Sequence, residues 1–153
     1  MRSAPINYLV ALGLAGVLWI VFSFVVGNYL ADSVSLLQLT IEEFVGTYRL
    51  VITAAAAAGV LLTCIWFFLG GKPEAARDMA KGSRLWTTLL LTAFAAAVLA
   101  TIALVFVFGE EEFALVQYSI FFVATSALTW VLFWLASLMA TPRAWENTMP
   151  PRK

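Results

Sequence analysis

The sequence predicts an all-α membrane protein, a four-transmembrane-helix bundle with both termini on the cytoplasmic side. Three observations lead there. Hydrophobic residues make up 63% of the chain and charged residues 12%, with a mean hydropathy of +0.94, where soluble domains run near about 45–50% and 25%. The apolar residues gather into four long runs, at 6–29, 47–69, 85–108 and 113–140. The charges lie between these runs and are sorted by sign. A chain of 153 residues has no room for a soluble domain beside them, so one transmembrane domain is expected.

Each run reaches the ~20 residues that a helix needs to cross a hydrocarbon core about 30 Å thick. Backbone groups in lipid must be satisfied within the segment, which a helix does, and the alternation of a transmembrane barrel is absent. The first run follows a single basic residue, Arg2. It exceeds the roughly 7–15 apolar residues of a cleaved signal, and no A-x-A-like site follows, so an uncleaved anchor is expected. Beyond it, Val34, Leu37, Ile41 and Phe44 recur at helical spacing, as in a strip lying in the interface. Thr40 and Glu43 form an S/T-x-x-E capping box, which starts the second helix near Ile41. That helix would measure about 44 Å to Leu69 and must tilt or protrude. In segment 70–84, Pro73 and Gly82 bracket a short surface helix, with Glu74–Arg77 and Asp78–Lys81 spaced for weak surface pairs.

Lipid gives helices no hydrophobic reason to associate, so close packing depends on small residues. The first run offers Ala11, Ala15, Gly13 and Gly16, the second Ala54 to Ala58 with Gly59, and the third Ala93, Ala96, Ala100 and Ala103. These faces are expected inside the bundle. Leu, Val and Phe residues are expected to face lipid or another protein, as are the aromatic-rich faces of the fourth run: Phe121, Phe122, Trp130, Phe133 and Trp134.

Eight of the nine basic residues fall on one side: Arg2, Lys72, Arg77, Lys81, Arg84, Arg143, Arg152 and Lys153. The other side carries Asp32, Glu42, Glu43, Glu110, Glu111 and Glu112, offset only by Arg49. The basic side is therefore expected in the cytoplasm, and a bacterial inner membrane is the expected location. Trp66, Trp86, Trp130, Trp134 and Trp145 gather towards the basic end and Tyr29, Tyr48 and Tyr118 towards the acidic one, as an aromatic belt would. Trp19 and Tyr8 depart from that division.

Two tandem helical hairpins are a further possibility. At an offset of 69, Glu42-Glu43-Phe44 reappears as Glu111-Glu112-Phe113. Ala55, Ala58, Leu69, Pro73 and Ala75 meet Ala124, Ala127, Leu138, Pro142 and Ala144 without a gap. Alanine-rich segments also match by chance, so both origins stay open.

The chain holds no histidine and one cysteine, Cys64, which removes the commonest base and metal ligand and any Cys-based zinc cluster. No catalytic set, metal site or cofactor is expected, and a net charge of zero gives no field for nucleic acid. Three sets of residues are candidates for interaction. Arg49 is the only charge within a run; it either snorkels or pairs with Glu43 or Glu110–Glu112, or serves a gating role. The acids Glu42, Glu43, Glu110, Glu111 and Glu112 read as solvated turns or weak cation attractors. Lys72, Arg77, Lys81 and Arg84 read as a solvated connector or as a contact for a partner or anionic lipid. Thr125, Ser126 and Thr129 form an intramembrane polar patch, which needs no ligand if each hydroxyl bonds back to its own helix. The function expected is that of a non-catalytic tetraspan subunit that scaffolds, stabilises or anchors a larger membrane complex. The alternative is a small oligomeric transporter or channel for an ion or small solute.

Overall fold

The computed structural model describes residues 4–33, 41–70, 79–112 and 115–140, and side chains at 6, 8–31, 41–69, 80–103 and 118–138. All described residues are helical. α1 (Ala4–Ile20) passes through a π-helical stretch (Val21–Val26) into α2 (Gly27–Ser33), making one rod. α3 (Ile41–Gly70), α4 (Met79–Glu112) and α5 (Leu115–Ala140) follow. The α1–α2 rod and each of these three are long and apolar enough to cross a membrane. α3 begins at Ile41, as the capping-box spacing predicts, although Thr40 itself lies outside the described residues, as do Val34 and Leu37.

The rod shows why a π turn is useful. Its buried positions Ala11, Ala15, Ser23, Gly27 and Ala31 fall at multiples of four, with half-buried Trp19 at the remaining step. A straight α-helix has 3.6 residues per turn, so each four-residue step overshoots by about 40° and five steps drift by about 200°. The Gly27 amide donates to the Phe22 carbonyl five residues back. One extra residue in that turn takes back about 100° and keeps a single face of the rod against α3 and α5.

Two apolar clusters hold the bundle. At the basic end, Ala11, Leu62, Trp66, Phe67, Trp86, Leu89, Ala93, Phe133 and Ala136 draw on α1, α3, α4 and α5. At the acidic end, Ala31, Phe44, Tyr48, Ile52, Ala55, Ala56, Tyr118, Phe121, Ala124 and Leu128 draw on α2, α3 and α5 only. α3 and α5 thus run through both clusters. The closest approach between them is at Gly59, where an added Cβ would lie 2.6 Å from Leu132 Cδ2. Ala55 and Ala124, which correspond at the offset of 69, are both buried in this contact.

Several expectations are corrected. Gly82 does not end a surface helix: α4 starts at Met79 and runs through it, and Gly82 is buried. An interior glycine costs only about 1 kcal/mol, less than ending the helix short of the membrane would. Pro73, Glu74 and Asp78 lie outside the described residues. Trp66 and Trp86 sit in the core rather than in a headgroup belt, as do Phe121 and Phe133 from the faces expected to meet lipid or a partner. Phe44 is likewise in the core, not on an interfacial strip. Gly13 and Gly16 point to open space, with nothing within 4 Å of an added Cβ. The buried stripe of this rod runs through Ala11 and Ala15, which leaves both glycines on the other side.

Candidate functional site

The alanine faces of α3 and α4 do not close on each other. Ala54 and Ala58 on one wall and Ala96, Ala97, Ala100 and Ala103 on the other border a cleft of about 460 Å³, with Thr125 and Thr129 of α5 at its floor. Ala96, Ala100 and Ala103, expected inside the bundle, are exposed along it. The reason lies at the basic end. There Trp66 and Phe67 of α3 and Trp86 and Leu89 of α4 pack into one buried cluster. Interaxial distance follows the side chains at the contact, about 8–10 Å, so bulky residues at one end hold apart the alanines further along.

The polar patch is spoken for in part. Thr125 Oγ1 donates to the Phe121 and Phe122 carbonyls at 2.7 and 3.1 Å, the back-bonding that lets a hydroxyl sit in lipid. Thr63, Thr92 and Thr101 do the same towards Gly59, Thr88 and Ala97. Thr129 differs: its Oγ1 donates across the helix interface to the Ala55 carbonyl, 3.2 Å away. Ser126 Oγ is enclosed with no hydrogen-bond partner. So the three residues do not act as one patch.

At the acidic end, Arg49 lies on the side of α3 that faces the π turn. Its Cζ sits 4.6 Å from the centre of the Phe24 ring, a cation–π contact worth about 0.5–2 kcal/mol. Trp19 packs edge-on against Phe24 at 5.9 Å. Its indole Nε1 donates to Thr53 Oγ1 at 2.9 Å, and Thr53 Oγ1 donates to the Arg49 carbonyl at 2.7 Å. Arg49 Nε is enclosed without an acceptor. Glu42 and Glu43 are exposed in the first turn of α3, where acids complement the helix dipole. The backbone of Glu110, Glu111 and Glu112 forms the last turn of α4; their side chains lie outside the described set. Lys81 and Arg84 are exposed in the first turns of α4, and Lys72 and Arg77 lie outside the described residues. Beside the π turn, Ser23 Oγ and Tyr48 OH are buried with no partner, and Gly27 lets the Tyr48 ring come within 3.1 Å of where its Cβ would be.

Among the described residues no group of His, Cys, Asp and Glu side chains could hold a metal ion. The cleft walls are almost wholly hydrocarbon. Nothing matches this chain. That holds for protein-family models, for curated proteins and for solved structures alike. What the arrangement offers is therefore read from its own chemistry: an apolar cleft between α3 and α4, and an aromatic seat under the Arg49 guanidinium. Sequence reasoning found Arg49 but not Phe24, Trp19 or Thr53. The signal available was Trp19, the one tryptophan too deep for either belt.

Proposed function

We propose that this chain is a non-catalytic, four-span component of a larger membrane complex, and that the cleft between α3 and α4 is where a transmembrane helix of its partner seats. The observation that carries this reading is the pair of alanine walls held apart at bilayer depth. Small residues on a lipid-facing surface give nothing to lipid, yet they let another backbone come close. The bundle offers a floor and two walls, and an incoming helix supplies the ridge. The charge pattern supports an orientation with the basic end and both termini in the cytoplasm, which suits a bacterial inner membrane.

A mild-detergent pull-down with mass spectrometry tests it. A stoichiometric larger partner is expected with the wild-type chain and is lost with Ala96→Phe or Ala100→Phe. Both substitutions fall at exposed positions and should leave the four helices folded by circular dichroism. A partner that stays bound to both filled-cleft variants would refute the reading. Reporter fusions at residue 76 and at the C-terminus are expected on the same side.

A transporter or channel is the second reading, favoured by Thr125 and Thr129 at the cleft floor. Purified protein in liposomes that moves an ion or solute, with flux lost in Thr129→Leu or Arg49→Leu, would replace the first reading with the second.

A further inference from the structure

Arg49 has a depth problem that its surroundings only half solve. α3 is 30 residues long, about 45 Å at 1.5 Å per residue, close to the roughly 40–45 Å of a bilayer with its headgroups. Arg49 lies eight residues after Ile41, about 12 Å along the axis. Its Cα therefore falls a few ångströms inside the hydrocarbon boundary, and its side chain is long enough to lift the guanidinium to phosphate depth. A charge there needs a counter-charge or water.

The contacts around it fix which part of the group is free. The guanidinium carbon lies over the Phe24 ring, 4.6 Å from its centre. Thr53 Oγ1 donates to the Arg49 carbonyl and accepts from Trp19 Nε1, which ties the turn of α3 that carries Arg49 to the first helix. Nε is enclosed with no acceptor. A guanidinium seated on a ring keeps a planar fork of N–H donors that matches two oxygens of one phosphate.

We propose that Arg49, seated on Phe24 and braced by the Trp19–Thr53 hydrogen bond, is a binding site for a phosphate oxyanion at the acidic end of the bundle, presented there by the phosphodiester of a lipid headgroup. The site rests on the membrane-spanning reading above but not on the subunit role. The lipid source follows from depth: the edge of the guanidinium opens at the level where phosphodiesters are concentrated. Phosphatidylglycerol is the preferred probe over phosphatidylcholine, because it brings no ammonium to compete with the guanidinium.

The test uses the full chain purified in mild detergent. Native mass spectrometry compares lipid retained from phosphatidylglycerol with that from phosphatidylcholine. Wild-type protein should retain phosphatidylglycerol, and Arg49→Gln should lower retention by about tenfold or more, the scale of losing a charge-assisted pair. Arg49→Lys and Phe24→Leu should fall between, and Glu42→Gln should match wild type. If Arg49→Gln fails to fold, Phe24→Leu and Arg49→Lys still decide the matter, since each leaves a cation in place and removes the seat or the fork. A parallel arm adds millimolar orthophosphate to lipid-free protein. An Arg49-dependent rise in melting temperature there marks free phosphate as the source, and its absence with lipid retained marks the headgroup. Equal phosphatidylglycerol retention by wild type and all three Arg49 and Phe24 variants overturns the site. Detergent-dependent solubility in the same samples checks the membrane reading separately.

Discussion

The two ends of the bundle are built from the same apolar stock, yet among the described residues one core draws on α1, α3, α4 and α5 and the other on α2, α3 and α5. At the basic end all four spans meet around Trp66, which is fully buried. The indole N–H of Trp86 donates to Ser137 Oγ at 3.0 Å, Ser137 donates to the Trp134 carbonyl at 2.8 Å, and Trp86 and Phe133 rings lie 5.9 Å apart. At the acidic end Phe44, Tyr48 and Phe121 make a three-ring cluster with centroids 5.7–6.3 Å apart, but no described side chain of α4 joins it. Hydrophobicity does not separate the two ends, since lipid rewards burial of a leucine no more than its exposure. Shape separates them. Large rings from α3, α4 and α5 interlock at one end, whereas towards the other the described alanines Ala96, Ala100 and Ala103 of α4 stay exposed along the cleft.

This contrast can be broken by experiment, and the largest effect belongs to the basic end. Trp66→Ala should cost about 3–5 kcal/mol of unfolding free energy, read from cooperative unfolding in mixed micelles, because the void opens at the meeting point of all four spans. A loss under 1 kcal/mol would mean that the basic end is not closely packed. Next comes the seam that joins the ends. Gly59→Val places a Cβ where Leu132 already sits and should cost about 1–3 kcal/mol by overpacking, measured the same way. Thr129→Val removes the hydrogen bond from α5 to the Ala55 carbonyl; such bonds in membranes average about 0.6 kcal/mol, and a double-mutant cycle cannot be built on a carbonyl, so the single variant is the measure. The smallest effect sharpens the contrast most. Ala100→Leu adds bulk to the cleft wall and should change stability by no more than about 0.5 kcal/mol. If it destabilises as a core overpacking would, α3 and α4 are in contact after all.

Much of this was readable from residues alone. The four long apolar helices were read from the sequence, because the length of an uncharged apolar run and the start of α3 at Ile41 are local properties. Ala11, Ala15 and Ala93 were read as interior and are buried. The error at Ala96, Ala100 and Ala103 has the same source as that success: small residues report that a backbone can come close, not that one does. Gly13 and Gly16 were misread because one helix has small residues on two faces, and only the partner helices choose between them. Arg49 was visible as the lone charge in a run, but its seat on Phe24 depends on a π turn that no residue pattern announced.

Composition settled that this chain folds as four long apolar helices, since that outcome depends on the length and polarity of each run, residue by residue. Which helices touch was decided only in three dimensions. Contact between α3 and α4 depends on the sizes of Trp66, Phe67 and Trp86, seven to nine residues along the chain from the nearest residues of the cleft, and a linear chain does not carry the distance between two of its own helices.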